Sequence, residues 1–402
     1  MKIGIIREGK VPVDRRVPLL PAQCQLLQEK YPQLSFAIQS SSIRCVPDAD
    51  YKKHGLAVVD DISDCDIIFG VKEVPIPQLM AHKTFFFFSH TIKKQAYNQQ
   101  LLRTILDRDI HLVDYECLTD QKGHRVVAFG RFAGIVGAYN GILGYGKRHN
   151  LFELRRAFEC QDLKDLRTEY AKVKLPPIKV VVTGGGRAGN GISEVLEGMQ
   201  IQRVSPEAFL NQNFDYPVFT QLRSKDYYQP PTNTTWNSED FYQNPAHYQA
   251  DFLKYARQAE IFISGHYWNP QAEVLFTRED ILAPNFKLKV IADVTCDIEG
   301  SIPSTLRAST IQAPFFDYDP ATGQEAAPFS SQTHLNMMSV DNLPCELPYD
   351  ASASFGQQLM EYVFPAFFDD DAQQIIKRAS IAKNGHLQPD FDYLQDYANA
   401  VS

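Results

Sequence analysis

The sequence lacks any apolar run that approaches the roughly 20 residues of a membrane-spanning helix. It also lacks a surplus of basic residues, because 40 Lys and Arg stand against 48 Asp and Glu, for a formal net charge of −8. Nucleic acids and anionic membranes bind basic faces, so this charge argues against both as partners. The amino terminus, MKIGIIREGK, has only a very short apolar run and predicts neither a signal peptide nor an anchor.

Paired cysteine motifs are missing as well. The seven cysteines show no C-x-x-C motif and no ligand-like spacing with histidine. This pattern predicts reduced thiols in a cytoplasmic protein and no metal site.

What the sequence does contain is typical of a soluble α/β protein. Its 402 residues predict two domains, and hydrophobic and charged fractions of 44% and 22% are typical of globular chains. Short apolar runs alternate with helical stretches through the first third, which favours βα units and a parallel sheet. The predicted strands there cover residues 2–7, 33–39, 66–71, 84–88 and 111–115. The run FFFFS fits a strand that is covered on both faces.

A glycine-rich stretch, VVAFGRFAGIVGAYNGILGYG, spans residues 126–146. Its small residues favour a buried interdomain helix, and Arg131 interrupts the run that a membrane helix would need. A later stretch, residues 211–249, is polar, aromatic and proline-containing, which predicts an irregular excursion that is nonetheless ordered.

The second half carries a candidate dinucleotide loop. The predicted strand KVVVT at 179–183 leads into GGGRAGNG and a predicted helix. In this context Gly184, Gly186 and Gly189 form a G-x-G-x-x-G motif that includes Arg187. The first glycine turns the chain, the second admits a pyrophosphate, and the third allows close helix packing. The motif favours dinucleotide binding over a plain glycine turn.

The cofactor preference depends on the next predicted strand, 201–204, which ends at Ser205 where an NAD enzyme usually carries an acid. The missing carboxylate and the nearby Arg203 favour NADP(H). NAD(H) stays open, because Glu207 could serve the ribose if the strand ends two residues later.

Candidate catalytic residues follow three strands of the first domain. In open parallel sheets, ligands bind beyond the carboxyl ends of the strands. Lys72, His90 and Glu116 come at three such ends. We therefore predict that they share one crevice, although each residue alone is more often a solvated or core residue.

Further charges are predicted near the same edge. Arg16, Lys93 and Arg125 would suit a substrate with several carboxylates, although ordinary surface basicity explains them equally well. Acidic groups such as Glu73 and Glu116 could balance these charges or bind ammonium groups.

Several segments resemble the alanine dehydrogenase and transhydrogenase superfamily. They are RRVPLLP at 15–21, FGVKEVP at 69–75, FFSHTIKKQ at 87–95, RVVAFGRFAG at 125–134, GHYW at 265–268, DVTCDIEGSI at 293–302 and SVDNLPCELPYDAS at 339–352. Within the superfamily they resemble saccharopine dehydrogenases that form lysine, and most of all the lysine-ketoglutarate reductase portion of aminoadipic semialdehyde synthase.

The resemblance implies an enzyme that interconverts saccharopine with L-lysine and 2-oxoglutarate, using NAD(P)(H). By position, Lys72 matches the general base and His90 matches the histidine that exchanges protons with the carbinolamine. The three basic residues, Arg16, Lys93 and Arg125, match positions that bind substrate carboxylates or tune the site. Glu73 and Glu116 match acids that steady the catalytic pair, and Asp297 matches an aspartate near the nicotinamide.

The resemblance also implies two Rossmann-like domains with parallel sheets, separated by a catalytic cleft. The substrate domain would comprise residues 1–133 and 340–402, and the dinucleotide domain residues 134–339. Two alternatives remain: an alanine dehydrogenase-like enzyme, and a dinucleotide-binding protein without catalysis. An oligomer is possible.

Overall fold

A computed structural model describes residues 1–400 of the chain. Its contacts divide the chain into two compact units. The first unit combines Met1–Phe129 with the carboxyl-terminal segment that begins at Pro348, and the second unit is Gly130–Leu347. The divisions at 129/130 and 347/348 lie four and eight residues from the boundaries at 133/134 and 339/340 that the resemblance implies.

The β-strands are, in chain order, β1 (Lys2–Ile5), β2 (Ser35–Gln39), β3 (Ala57–Val59), β4 (Ile67–Phe69), β5 (Thr84–Phe87), β6 (His111–Asp114), β7 (Lys179–Thr183), β8 (Gln202–Arg203), β9 (Val218–Leu222), β10 (Tyr228–Gln229), β11 (Gln249–Ala250), β12 (Ile261–Ser264), β13 (Val290–Asp293), β14 (Phe315–Asp319), β15 (Gln324–Ala326), β16 (Leu335–Met338), β17 (Ser380–Lys383) and β18 (His386–Leu387).

The α-helices are α1 (Pro21–Lys30), α2 (Asp48–Lys53), α3 (Gln99–Asp107), α4 (Gly130–His149), α5 (Leu163–Thr168), α6 (Arg187–Gly198), α7 (Pro206–Asn211), α8 (Ser224–Tyr227), α9 (Ser238–Gln243), α10 (Leu253–Ala256), α11 (Arg278–Leu282), α12 (Pro348–Gln358), α13 (Ile375–Ala379) and α14 (Gln395–Asn399). Short 3₁₀ turns and one π-helical turn, Leu359–Val363, connect some of them.

The first unit is built on an eight-stranded sheet in the order β18-β17-β6-β5-β4-β1-β2-β3. Strands β1 to β6 pair in parallel, as predicted, whereas β17 and β18 add an antiparallel edge. The side chains of Phe85, Phe86 and Phe87 are completely buried. Phe86 stacks on Phe69 of β4, so the phenylalanine run holds β5 at the centre of the core.

The carboxyl-terminal segment is part of the first unit because α12 packs against its amino-terminal half. The Val17 N–H donates to the Ser352 hydroxyl at 2.9 Å, and the Gln23 amide donates to the Ala353 carbonyl at 2.8 Å. The first unit is thus assembled from two distant parts of the sequence.

The second unit contains another eight-stranded sheet, in the order β15-β14-β16-β13-β12-β7-β9-β8. Most neighbours are parallel, but β14 pairs antiparallel with β16 and β15. The neighbour of β7 on one side is β9 rather than β8. This order matters for the dinucleotide loop, because it decides which loop lies beside the glycines.

Helix α4 is the predicted glycine-rich helix, and it is buried within the second unit. A Cβ at Gly134 would overlap the carbonyl of Ala188 in α6, and one at Gly141 would come within 2.9 Å of the Ala292 side chain. The glycines therefore allow the helix to approach α6 and the sheet closely. No helix among residues 1–400 combines the length and the apolar character needed to cross a membrane.

The predicted irregular excursion is ordered, but part of it is regular. Val218–Leu222 forms the buried strand β9, and the short elements α8, β10, α9 and β11 follow it, joined by loops. The aromatic residues of the excursion join the core of the second unit, where Tyr227, Phe241 and Tyr248 are buried. The high aromatic content of this segment is explained by that packing.

Candidate functional site

The first candidate site lies at one edge of the first sheet. Strands β1, β4, β5 and β6 are parallel, so their carboxyl ends share this edge. Lys72 follows β4, His90 follows β5, and Glu116 follows β6. The topology therefore brings to one edge the three residues that the sequence pattern predicted there.

Lys72 is half-buried and lies among other cations. Burial lowers the pKa of its ammonium group, and the positive charges of Arg16 and Lys10 lower it further. Asp14 and Glu73 act in the opposite direction with less effect. The result is a lysine that gives up its proton more readily than a solvated one.

A carboxylate that the sequence analysis did not identify, Glu8, fixes the turn that carries Lys72. Its two oxygens accept hydrogen bonds from the N–H groups of Val71 and Lys72, at 2.7 and 2.9 Å. Burial and the nearby charge of Asp14 raise the pKa of Glu8 to about 8, and the two backbone donors offset this only in part. The only sequence signal for this residue is its position three residues after the end of β1.

Glu73 joins the histidine to a second lysine. One oxygen lies 2.6 Å from Nδ1 of His90, and the other accepts from Nζ of Lys10 at 2.5 Å. Burial opposes ionisation of Glu73, but the interactions with His90 and Lys10 prevail and lower its pKa to about 2. Glu73 is thus an anion that orients the His90 ring through Nδ1 and leaves Nε2 for other partners.

The backbone around His90 is held in an uncommon conformation. His90 has φ +54°, in the left-handed region, directly after β5. The buried carboxylate of Asp114 accepts from the Ser89 N–H at 3.0 Å, from the Ser89 hydroxyl, and from the Glu116 N–H at 2.7 Å. Asp114 therefore joins the turns that carry His90 and Glu116.

Arg16 is buried against Asp14 and an aromatic ring. Its Nε and Nη2 donate to the two carboxylate oxygens of Asp14, at 3.0 and 2.6 Å. The guanidinium lies 4.1 Å from the ring centre of Phe129. This bidentate pair fixes Arg16 in the region where its charge acts on Lys72.

Lys93 and Arg125 converge on Glu116. Nη2 of Arg125 lies 3.1 Å from Oε1 of Glu116, and Nζ of Lys93 lies 3.6 Å from the same atom. The second oxygen, Oε2, is buried and accepts no hydrogen bond within residues 1–400. A polar group of a ligand can satisfy that oxygen.

The second candidate site is a cavity of about 860 Å³ in the second unit. Gly184, Gly185 and Gly186 form part of its wall. Gly184 has φ +103°, and a Cβ there would overlap the carbonyl of Gly265. Only glycine fits this turn without strain.

The remaining motif residues also fit a dinucleotide. Gly186 caps the amino end of α6, and a Cβ there would meet no atom within 4 Å, which leaves room for a phosphate group. A Cβ at Gly189 would overlap the carbonyl of Gly184, so this glycine allows close packing of helix and strand. Arg187 begins α6 and is exposed.

Arg203 and Ser205 lie apart from the cavity wall. Their strand, β8, is separated from β7 by β9, which differs from the arrangement assumed in the sequence analysis. Arg203 donates to the Gln221 side chain at 2.8 Å, and the Ser205 hydroxyl accepts from the Ala208 N–H at 3.1 Å as the cap of α7. Arg223 and Lys225, which follow β9, line the cavity instead.

Two further residues lie beyond the strand ends of the second sheet. Asp297 is exposed in the loop after β13, where its carbonyl accepts from the Gly300 N–H. His266 follows β12 and lines the cavity, with Nδ1 2.7 Å from the Thr183 hydroxyl and Nε2 3.1 Å from the Ser301 hydroxyl. Burial lowers the pKa of His266 to about 4, so its ring is neutral near pH 7.

The first part of the chain matches a known protein family. Residues 4–136 match the family described as alanine dehydrogenase/PNT, N-terminal domain. The match covers about the first third of the chain. The match confirms the superfamily resemblance that the motifs indicated.

Relatives extend the similarity along the whole chain. Alpha-aminoadipic semialdehyde synthase, mitochondrial, from Bos taurus is 31% identical over 445 residues, which cover 98% of this chain and 47% of that protein. The chain therefore spans about half the length of this relative. Saccharopine dehydrogenase (NAD(+), L-lysine-forming) from Emericella nidulans is 24% identical over 379 residues, which cover 89% of this chain and 90% of that protein.

The fold has a close counterpart among solved structures. An L-alanine dehydrogenase aligns with a TM-score of 0.67 at 15% identity, covering 99% of this chain and 100% of that one. This confirms the predicted α/β fold with two mostly parallel sheets.

Proposed function

We propose that this chain interconverts saccharopine with L-lysine and 2-oxoglutarate, using a nicotinamide dinucleotide. The observation that carries the proposal is the grouping of Lys72, His90 and their acidic partners at one sheet edge. It occurs in a chain that is similar over 98% of its length to an aminoadipic semialdehyde synthase. Within this proposal, the first unit binds substrate and the second binds the dinucleotide.

Lys72 is the proposed general base. In the lysine-forming direction it takes the proton of the secondary amine of saccharopine and later assists water as it attacks the imine. A bound nicotinamide dinucleotide supplies the hydride acceptor. Burial and the charges of Arg16 and Lys10 lower the pKa of Lys72, which supports a base that works closer to neutral pH.

His90 is the proposed second proton-transfer group. Its Nδ1 is engaged by Glu73, so Nε2 is the atom that exchanges a proton with the carbinolamine formed from the imine. Glu73 orients the ring and stabilises a positive charge on it. Asp114 has no direct part in the chemistry and acts by fixing the turn that carries His90.

The basic residues fit a substrate with several carboxylates. We propose that Arg16, Lys93 and Arg125 bind these groups or adjust the charge around them. Arg16 is already paired with Asp14, so its main effect is on the charge at Lys72. Lys93 and Arg125 are about half exposed and are the better candidates for direct contact. Glu116 can then bind the ammonium group of the substrate L-lysine.

The cofactor proposal favours NADP(H), with NAD(H) as the alternative. No acidic side chain is part of the cavity wall that contains the glycine loop. A carboxylate near the adenosine ribose would repel a 2′-phosphate, so its absence supports NADP(H).

All seven cysteines are free thiols, which supports a reducing compartment such as the cytoplasm.

An absorbance assay tests the function. NADPH and NADH consumption is followed with lysine plus 2-oxoglutarate, and separately with pyruvate plus ammonia. We expect consumption in the first mixture, faster with NADPH. Consumption only in the second mixture would indicate an alanine dehydrogenase-like enzyme, and none in either mixture would support a binding protein without catalysis.

A further inference from the structure

The order of strands in the second sheet determines which loop lies beside the glycine loop. In dinucleotide-binding sheets, the loop after the strand next to the glycine-loop strand meets the adenosine ribose. Strand β7 has two parallel neighbours, β12 and β9, and β9 is the one that comes first along the chain after α6, so its loop corresponds to the ribose loop. The loop that begins at Arg223 therefore occupies the ribose position.

The Arg223 side chain lies against the glycine loop. A Cβ placed on Gly185 would meet Cγ of Arg223 at 3.4 Å and its Nε at 3.6 Å. Arg223 is exposed and lines the same cavity as Gly184, Gly185 and Gly186. The Arg223 side chain thus occupies the space into which a side chain at Gly185 would point, beside the loop that would hold the pyrophosphate.

Lys225 adds a second cation to this wall. It is also exposed and lines the cavity, with Ser224 between the two cations in sequence. Neither Arg223 nor Lys225 has a carboxylate within ion-pair distance in the part of the chain that the structure describes. With no acid in the cavity wall, its formal charge is positive.

We propose that Arg223 and Lys225 form the subsite that binds the 2′-phosphate of NADP(H) and that discriminates it from NAD(H). The proposal rests on the proposed dinucleotide-binding function and goes beyond it by assigning the residues. A guanidinium can pair with a phosphate through two parallel hydrogen bonds, while an ammonium contributes a mobile point charge. Two unpaired cations therefore suit a dianionic phosphate.

Arg203, the arginine that the sequence analysis associated with this phosphate, has another role. It donates to Gln221, and the Gln221 amide donates to the Gly184 carbonyl at 2.9 Å. Arg203 thus supports the position of the glycine loop from the outer side of β9. If Arg203 bound the 2′-phosphate, removing it would weaken NADP(H) binding selectively, whereas our proposal expects this effect from the removal of Arg223. One experiment separates these two expectations.

Isothermal titration of the full chain with 2′,5′-ADP and with 5′-AMP tests the subsite, because these ligands differ only in the 2′-phosphate. We expect wild-type protein to bind 2′,5′-ADP at least tenfold more tightly. Arg223→Gln and Lys225→Gln should each weaken 2′,5′-ADP binding by roughly tenfold, the loss of one charge-assisted contact, and leave 5′-AMP binding unchanged. Arg257→Gln is the matched control, since Arg257 is exposed and is not part of the cavity wall.

The outcomes distinguish this subsite from the proposed function. If both ligands bind equally and Arg223→Gln changes neither affinity, the subsite is refuted while nucleotide binding stands. If wild-type protein binds neither ligand, the dinucleotide function itself is refuted. A selective loss for 2′,5′-ADP in Arg203→Gln alone would move the subsite to the end of β8 and overturn the proposal.

Variants that keep the positive charge distinguish the loss of charge from a folding defect. Arg223→Lys keeps the charge but loses the paired hydrogen bonds of the guanidinium, and Lys225→Arg keeps the charge, so both should retain more of the preference for 2′,5′-ADP than the glutamine variants do. If these variants lose as much selectivity as the glutamine variants while 5′-AMP binding is intact, charge is not the cause and the proposal fails.

Discussion

Replacing Glu73 with glutamine isolates the charge that links His90 and Lys10. The side chain is buried, and its contacts lower its pKa from an ordinary value of 4.5 to about 2. This difference corresponds to about 3 kcal/mol in favour of the charged form. Because Lys10 is partly exposed and solvent screens the pair, we expect roughly 1 to 2 kcal/mol of folding free energy from it.

The pH dependence has a definite sign. A carboxyl group with a lowered pKa in the folded state stabilises the protein fully above pH 4.5 and loses that effect as the pH falls towards 2. Glu73→Gln should therefore be less stable than wild type above pH 4.5, and the difference should disappear on acidification. Glu29→Gln is the control, because Glu29 is exposed on α1 and bonds only to Gln25 among residues 1–400.

Urea unfolding followed by circular dichroism measures this effect. Both tryptophans, Trp236 and Trp268, lie in the second unit, so their fluorescence is a poor reporter of the first. A difference between Glu73→Gln and wild type that persists unchanged from pH 7 to pH 2 would refute the electrostatic reasoning. So would a variant that is as stable as wild type at pH 7.

Three further substitutions test the proposed roles. Lys72→Met should lower turnover by roughly 10²-fold or more while dinucleotide affinity in titrations stays near wild type, and equal losses in both would indicate a folding role. Lys10→Gln removes a charge that lowers the pKa of Lys72, so the acidic limb of the saccharopine-oxidation pH profile should move to higher pH; a shift to lower pH would contradict this. Gly184→Ala puts a Cβ at φ +103°, which costs about 1–2 kcal/mol in backbone strain and displaces Gly265, so dinucleotide binding should weaken at least tenfold in titrations; unchanged affinity would argue against the proposed cradle.

The sequence located most of the individual elements because their signals are local. The strand KVVVT and the strand that contains the phenylalanine run lie where the apolar pattern indicated them. The convergence of Lys72, His90 and Glu116 on one edge was also predictable, since parallel strands have a common carboxyl edge.

Long-range pairing was less predictable. The tract VFTQL falls in an aromatic and polar region, and its strand pattern was not recognised as β9. Strand order depends on packing between distant segments rather than on local propensity, so the sequence did not show that β9 lies beside β7. For the same reason the sequence pattern does not single out Arg223 and Lys225, and it assigns the ribose position to Ser205.

The electrostatic details of the first site also required coordinates. Glu8 was missed because a carboxylate that accepts two backbone N–H groups leaves no motif of its own. Likewise, the sequence did not show that Glu73 holds His90 and Lys10 together, because those contacts depend on the exact course of two loops.

The split composition of the first unit has a consequence for biosynthesis. During translation, β1 to β6 leave the ribosome early, but β17, which pairs with β6, is made only after the entire second unit. The uninterrupted second unit can fold while the nascent amino-terminal half still has an open strand edge at β6. Chains that stall between residues 347 and 380 would therefore expose that edge, and we expect them to aggregate more readily than the finished chain.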